Sequence, residues 1–218
     1  MTSTVEICNM ALGNIRAGSI NDLSEASLPA EQCSLKYPVL RDRMLNDGSW
    51  GFSRKIAVLA TLTTEVFNWA FSYQYPTDCM KINRIIPSFE ELTTDASGVV
   101  SQLRDSELIP IKELRAQVPY EVFNFSDNRV IGSDHKELRI DYVAKVTDPN
   151  LFPPDFILAL SHLLAAELAI PIVGAEVGRQ LRSDSMTLYQ NYLAAAIASD
   201  MNENYLTPGE SEFVTVRR

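Results

Sequence analysis

The stretch that decides the fold is Phe67–Tyr75, which reads FNWAFSYQY. Aromatic residues occupy every second position, so a β-strand would place all of them on one face. A helix would spread the same side chains around its circumference. The segment therefore predicts a β-strand with one aromatic face in the interior of the chain.

The residues that follow extend the β pattern. Pro76–Asp78 is typical of a turn, and Met80–Ile85 is predicted to be the strand that returns beside the first. Residues 89–119 are polar without a clear period, and we expect them to be mostly loop. Three further strands are expected, with a tight turn at 126–128 between the first two: Tyr120–Phe125, Val130–Ile131 and Leu138–Val143.

The residues before this section have helical spacing. Ser3 and Glu6 fit a capping box, so a first helix is expected from there until Gly18 stops it. A second helix is expected to run from Pro29, with a kink at Pro38 rather than an end, until Asp47-Gly48 closes it. The predicted apolar stripes comprise Ile7, Met10, Ala11 and Ile15 in the first helix and Ala30, Cys33, Tyr37, Leu40 and Met44 in the second.

Two more helices are expected after the β section. One begins at Asp155 and presents a broad apolar face until Pro171 ends it. The last begins near Gly174, and its small residues suit close packing against another helix. Its predicted stripe comprises Leu181, Ser185, Leu188, Tyr192, Ala195 and Ser199.

These patterns together predict an α+β fold. The N- and C-terminal helix pairs, residues 1–54 and 150–205, each have one stripe to bury and are expected to form a single helical bundle. Residues 55–149 are predicted to be an inserted, antiparallel, β-rich domain. Residues 206–218 are predicted to be an extended C-terminal tail.

Charge and cysteine content narrow the classes of partner and compartment. The 218 residues carry a formal net charge of −9, and basic residues are not gathered as tight binding to duplex DNA requires. An acidic surface remains compatible with a channel through which DNA slides. The separated Cys8, Cys33 and Cys79 predict reduced thiols in a cytoplasmic protein. The N-terminus lacks a signal peptide's pattern, and the polar residues within 156–173 argue against membrane insertion.

No pattern in the sequence predicts an enzyme, a metal site or a cofactor. Of the two histidines, His135 lies in a polar turn and His162 in an apolar helix, and neither belongs to a nucleophile motif. Clustered metal ligands and the glycine motifs that bind phosphates are missing from the sequence. The paired carboxylates lie in polar stretches, where a raised pKa is hard to achieve, and comprise Glu90 and Glu91, Asp105 and Glu107, and Glu210 and Glu212.

The aromatic residues are interpreted as structural. A platform that stacks nucleic-acid bases is flanked by cations, whereas residues 61–80 contain no Lys or Arg. A buried core or a contact between subunits is the better interpretation. The expected structural anchors are Trp50, Phe52, Trp69, Tyr73 and Tyr75.

Three ordered blocks resemble one protein family. The first, within Tyr37–Leu59, contains YPVLRDRML, WGF and RKIAVL; the second is Trp69–Ile82, WAFSYQYPTDCMKI. The third comprises Leu138–Val146, a Phe-Pro linker and the Leu- and Ala-rich helix through Ala169. In this order they resemble the head-to-tail adaptors of short-tailed bacteriophages, also called tail tubular protein A, gatekeeper or connector proteins. Residues 89–119 and those after Asn204 have no matching block.

The resemblance implies a structural virion protein of the tail neck that is made in the host cytoplasm. Its helical bundle would assemble with copies of itself into a ring, usually a dodecamer, beneath the portal. The ring would bind the portal protein on one side and a tail nozzle or tail tube on the other, with tail fibres as further candidate partners. DNA would pass through its channel during ejection without specific binding, and no enzyme activity or cofactor is implied.

The C-terminal tail is the expected contact with the portal. A short strand-forming segment here could add to a partner's sheet and order only on binding. A tail that stays disordered and binds nothing is the alternative. The expected portal-interface residues are Phe213, Val214, Thr215, Val216, Arg217 and Arg218.

Two functions of other classes remain open from the sequence. One is a virion-associated cell-wall hydrolase that uses paired carboxylates, which peptidoglycan zymography would detect. The other is a module that binds a host partner, which would remain a monomer and never join a portal or a particle.

Overall fold

The computed structural model describes residues 2–48, 50–63, 68–87, 92–94, 100–104, 107–110, 118–125 and 127–203. Its contacts divide the chain into two compact units. The helical unit comprises Met1–Phe52 and Val146–Arg218, and the β unit comprises Ser53–Lys145. The predicted α+β class is confirmed. The sequence placed the insertion at 55–149, within a few residues of the β unit.

The described part of the helical unit contains four α-helices. The helix α3 is central, because each of the other three packs against it. Short 3-10 helices occur at Gly51–Ser53 and Pro149–Leu151. The helices are α1 (Thr4–Asn14), α2 (Leu28–Asp47), α3 (Pro154–Val173) and α4 (Ala175–Glu203).

Helix α1 begins as predicted and ends earlier. The Ser3 hydroxyl accepts from the Glu6 backbone N–H at 3.1 Å, and the Ser3 N–H donates to the Glu6 carboxylate at 2.8 Å, which confirms the capping box. Arg16 has a φ of 59°, the left-handed conformation that glycine usually supplies, so the helix stops before Gly18. Met10 is 38% exposed and does not belong to the buried stripe.

Helix α2 follows its predicted pattern. It begins after Ser27, whose hydroxyl accepts from the Ala30 N–H at 3.4 Å, and it continues through Pro38. The whole predicted stripe is buried, as expected when one face packs on a neighbouring helix: Ala30, Cys33, Tyr37, Leu40 and Met44.

The junction of α3 and α4 corrects two predictions. Pro171 lies inside α3, where it removes a backbone donor in the last turn without stopping the helix. Gly174, with a φ of 92°, separates the two helices instead. The predicted stripe on α4 is only partly right, because Ser185 is buried whereas Leu188 is 42% exposed and Ala195 and Ser199 are also exposed. The buried positions of α4 are Gly178, Ser185, Tyr189 and Ala196.

Helix α3 is long and apolar enough to cross a membrane, with a mean hydropathy of 2.1 over its most apolar window. The sequence argument that its polar residues disqualify it was therefore wrong. The fold buries 61% of that window, and core helices of soluble proteins pass the same test of length and composition.

The described part of the β unit contains three antiparallel sheets. Their strand orders are β1-β10-β4, β2-β3-β9-β8 and β5-β6-β7. The strands are β1 (Arg54–Val58), β2 (Thr61–Leu62), β3 (Phe71–Gln74), β4 (Cys79–Pro87), β5 (Leu92–Thr94), β6 (Val100–Arg104), β7 (Glu107–Pro110), β8 (Glu121–Phe125), β9 (Asn128–Ser133) and β10 (Leu138–Ala144).

One hydrophobic core joins the first two sheets. Strands β4 and β10 contribute from the three-stranded sheet, and β3 and β9 from the four-stranded sheet. The two sheets therefore bury their facing sides as a small sandwich. The buried core residues are Leu59, Tyr73, Tyr75, Ile85, Val118, Ile131, Leu138, Ile140, Tyr142 and Ala144.

The strand in the aromatic segment is shorter than the alternation of aromatic residues predicted. Phe67 lies outside the described residues, and Trp69 forms only an isolated bridge before β3 begins at Phe71. The turn at Pro76–Asp78 is present, with the Cys79 N–H donating to the Pro76 carbonyl at 3.0 Å. The next strand, however, pairs with β10 rather than with β3, so the prediction of a returning strand was wrong.

The other strand predictions had mixed outcomes. Strands β8 and β9 pair as an antiparallel hairpin around Asp127, which confirms the predicted turn. The prediction that residues 89–119 are mostly loop is wrong for the described part, because β5, β6 and β7 pair there in sequence order. Backbone hydrogen bonds to neighbouring strands hold these three strands together, so they form even though their apolar residues follow no clear period.

Candidate functional site

Two of the expected anchors lie in an aromatic cluster at the end of the helical unit. The cluster comprises Trp50, Phe52, Phe152 and Phe156. The ring of Phe156 lies 5.1 Å from Trp50, 5.1 Å from Phe52 and 5.0 Å from Phe152, centroid to centroid. The Trp50 indole N–H donates to the Met44 carbonyl at 2.9 Å, which satisfies its one polar atom. The cluster joins the chain after α2 to the start of α3.

The other three anchors belong to the β unit. Tyr73 is fully buried, and its hydroxyl donates to the backbone carbonyl of His135. Trp69 is half-buried, and its N–H donates to the Glu121 carboxylate at 3.0 Å. Tyr75 is 9% exposed at the edge of the core. The fold therefore distributes the five residues between two units.

A cleft of about 740 Å³ lies beside Tyr75 in the β unit. The Arg129 guanidinium lies 4.3 Å from the centroid of the Tyr75 ring, which is a cation–π contact. The Cys79 thiol donates to the Tyr75 hydroxyl at 3.2 Å. Burial raises the pKa of Tyr75 to about 12, so its phenol is neutral at physiological pH. The cleft is therefore lined by a neutral phenol with a guanidinium held over its ring.

An ionic cluster on β10 has no counterpart in the sequence analysis. Asp141 is 2% exposed, and its carboxylate accepts from Arg54 at 2.6 and 2.9 Å and from Arg84 at 3.0 Å. The Asn83 amide lies 3.4 Å from the same carboxylate. Burial alone would raise the pKa of Asp141, but the bonds from Arg54, Asn83 and Arg84 hold it below the ordinary value. Asp141 therefore stays ionised and fastens β1 and β4 to β10.

We expect Asp141→Asn to lower the free energy of unfolding of the β unit by about 2 kcal/mol at neutral pH. The expected loss of stability is modest because Arg54 and Arg84 are 34% and 43% exposed, so water solvates both guanidinium groups once the carboxylate is removed. Since the folded-state pKa is depressed, this stability is present above the ordinary aspartate pKa of about 3.9 and is lost as pH falls through the lower folded value. Urea denaturation at several pH values measures both effects.

The exposed Asp127, in the β8–β9 turn, provides the matched control. Asp127→Asn should change stability by less than about 0.5 kcal/mol, because Asn also tolerates its left-handed backbone. Equal losses for the two variants would show that the Asp141 cluster adds no stability.

Both histidines make contacts within the fold that link neighbouring elements. His162 stacks on Tyr192 at 5.1 Å between ring centroids, and its Nδ1 lies 3.4 Å from the Asn14 amide. Burial lowers the pKa of His162, which favours the neutral ring. The backbone carbonyl of His135 accepts from Tyr73. These contacts hold helices and strands together.

Two cysteines that are far apart in sequence meet in the fold. The side chains of Cys8 on α1 and Cys33 on α2 lie beside each other, and both cysteines are fully buried and free. The interaction with Cys33 and burial raise the pKa of the Cys8 thiol. Burial also raises the pKa of Cys79. Cys8 and Cys79 are therefore protonated at neutral pH and are weak nucleophiles.

The remaining candidate residues are not brought together in the described part of the chain. Within it, no group of three or more His, Cys, Asp or Glu side chains could hold a metal ion. Glu90, Glu91, Asp105, Glu210 and Glu212 lie outside the described residues, as does the side chain of Glu107. The expected portal-interface residues Phe213, Val214, Thr215, Val216, Arg217 and Arg218 also lie outside them.

No family model matches the sequence, and no curated protein matches it either. Its function has to be inferred from the residues, their contacts and the surfaces they form.

Proposed function

We propose that this protein is the head-to-tail adaptor of a short-tailed bacteriophage. Copies of the chain form a ring, a dodecamer in the family that the sequence resembles, which joins the portal to the tail nozzle or tube. The ring is structural and performs no catalysis. It resides in the neck of the virion after assembly in the host cytoplasm.

The observation that carries this proposal is the interruption of a helical unit by a β unit. The chain leaves the helical unit after Phe52 and returns to it at Val146, and the resemblance implies this order of elements. An adaptor must close a ring with its own copies and also hold unlike proteins on two sides. Two separately packed units allow these tasks to be divided, with the helical unit closing the ring and the β unit contacting tail proteins.

Charge supports the role of a DNA conduit. The chain has 28 acidic and 19 basic residues, so its field repels phosphate on average. Several cations are also paired within the fold. Arg54 and Arg84 bind Asp141, Lys55 binds Asp78 at 2.6 Å, and Arg182 binds Glu167 at 3.1 Å. Pairing reduces their attraction for passing DNA.

The C-terminal segment is the proposed attachment to the portal. Residues 213–216 have the side chains of a β-strand and would add to a sheet edge of the portal protein, with Arg217 and Arg218 beyond them. Truncation after Tyr205 should weaken portal binding by more than about tenfold, since each lost backbone hydrogen bond contributes about 1 kcal/mol. Biolayer interferometry with immobilised portal measures the change, and unaltered affinity would contradict this role of the tail.

The adaptor function is tested by mixing the purified protein with the portal protein encoded in the same genome. Negative-stain electron microscopy and size-exclusion chromatography should reveal rings stacked on portals. A monomer that ignores the portal would contradict the proposal and favour a host partner. Clearing of peptidoglycan in a zymogram, abolished by one carboxylate substitution, would instead establish a hydrolase.

A further inference from the structure

Helix α2 carries an exposed apolar ridge on the side away from α3. Leu28, Leu35 and Val39 are 50%, 65% and 65% exposed, although each is a large hydrophobic residue. Their spacing of seven and four residues places them in one line along the helix. We call these three residues the α2 ridge. Glu31, also exposed, lies one turn before Leu35.

A groove of about 400 Å³ lies between the end of α3 and the first half of α4. Its apolar lining comes from Ile170 and Met186, both half-buried. Its polar lining is exposed, and Arg182 within it already pairs with Glu167. The polar lining residues are Arg179, Arg182, Ser183, Thr187 and Gln190. We call this feature the α3–α4 groove. It is a shallow, open depression with apolar and basic lining residues.

The α2 ridge and the α3–α4 groove are complementary in chemistry. Glu31 lies one turn before Leu35 on α2, and Arg179 lies about two turns before Met186 on α4. Arg182, between Arg179 and Met186, already pairs with Glu167 at 3.1 Å, so Arg179 is the cation of the groove that a carboxylate can meet. A helix laid along the groove places Glu31 near Arg179 while Leu35 covers the apolar lining. Both features belong to the helical unit, so each copy of the chain carries one of each.

We propose that the α2 ridge of one copy docks in the α3–α4 groove of the next copy. The contact joins two unlike surfaces, so it is heterologous and propagates from copy to copy until a ring closes. This inference rests on the proposed adaptor function, for which it supplies the subunit interface. Docking removes three exposed apolar side chains from water and pairs Glu31 with Arg179.

The interface predicts a protein that stays monomeric until a portal gathers it. Three apolar side chains and one ion pair form a small contact, and association of two free proteins must first offset the loss of rigid-body freedom. A portal that holds copies side by side removes most of that cost, because binding then becomes effectively intramolecular.

Cross-linking between two differently tagged chains tests the interface. One chain carries Leu35→Cys and the other Met186→Cys, and the mixture is oxidised with and without portal. We expect a disulfide-linked heterodimer, with yield rising with concentration or on addition of portal. Each single variant mixed with wild type gives the background level of cross-linking. That level should be low, because the native Cys8 and Cys33 are buried and Cys79 is half-buried.

Charge exchange separates a specific contact from chance collision. Arg179→Glu should lower the cross-link yield about threefold, because an attraction between exposed charges becomes a repulsion. Glu31→Arg on the other chain should then restore the yield. Leu35→Asp, tested in chains with native cysteines, should abolish ring formation on the portal. Leu151→Asp is the matched control, since Leu151 is 58% exposed in the same unit and lies outside both surfaces.

The outcomes distinguish this interface from the adaptor function. Portal-bound rings without the heterodimer would overturn the interface and leave the adaptor function standing. A concentration-dependent heterodimer in a protein that ignores the portal would support the interface and overturn the adaptor function. Failure of Glu31→Arg to rescue Arg179→Glu would also overturn the proposed pairing of ridge and groove.

Discussion

Replacement of Gly178 by alanine should lower the free energy of unfolding of the helical unit by about 3 kcal/mol. A Cβ atom at this position would lie 2.8 Å from the Ala169 carbonyl oxygen and 2.9 Å from the Ile170 Cα. Both neighbours are backbone atoms of α3, so no side chain can rotate away. Helix α4 would have to move off α3, with loss of packing along their shared face. Urea denaturation followed by far-ultraviolet circular dichroism measures the change.

Gly13 provides the control for this prediction. It lies in α1, and a Cβ atom there would have no neighbour within 4 Å. Gly13→Ala should therefore raise stability by up to about 1 kcal/mol, the usual gain from replacing glycine inside a helix. If Gly178→Ala were neutral or stabilising like Gly13→Ala, α3 and α4 would not approach as closely as the structure places them.

Replacement of Trp50 by alanine should be the most destabilising single change, at about 4 kcal/mol. Trp50 is 2% exposed and packs edge-on against Phe156. The variant would leave a large cavity in the aromatic cluster and remove the indole donor from the Met44 carbonyl. The midpoint of urea denaturation should fall with little change in its slope, as expected for a loss of stability without a change in exposed area.

Two further variants test the cause of that loss. Leu151→Ala, at a residue that is 58% exposed, should change stability by less than about 0.5 kcal/mol. Gly48→Ala should be destabilising, because its Cβ would lie 2.5 Å from the Trp50 ring and would push the indole out of the cluster. A stable Gly48→Ala variant would contradict the tight packing of Trp50 against the end of α2.

The stability of the helical unit bears on the proposed ring. If the α2 ridge and the α3–α4 groove form the subunit interface, both α2 and α4 must be held firmly on α3. Gly178 allows the close approach of α4, and the aromatic cluster secures the chain where α2 leads toward the β unit. Variants at these positions should therefore reduce ring formation through loss of folded protein, whereas Leu35→Asp should reduce it without loss of stability.

The sequence by itself determined the class of fold and the start of several elements. The capping box of Ser3 and Glu6, the buried stripe of α2 and the hairpin of β8 and β9 depend on residues close together in the chain. Helical and strand periods, caps and turns are local properties, so a single sequence reveals them. The order of two helices, a β section and two helices was predictable for the same reason.

Other features were decided only by the tertiary structure. The sequence predicted a strand after Pro76–Asp78 but not its pairing with β10, because strand partners are chosen by the shared core and not by the turn alone. The pairing of Cys8 with Cys33 joins residues that are distant in the chain. The ion pairs of Arg54 and Arg84 with Asp141 also join residues that are distant in the chain. A helical or strand period in the sequence cannot reveal such pairs.

The buried face of each helix was also decided partly by the sequence and partly by the tertiary structure. The spacing of α4 is compatible with more than one apolar stripe, and the close approach at Gly178 selects the stripe that faces α3. The α2 ridge and the α3–α4 groove likewise emerge only when the surfaces left uncovered by folding are known. Local sequence determines that a segment is a helix or a strand, whereas packing against distant residues determines which side of it is buried and which remains for a partner.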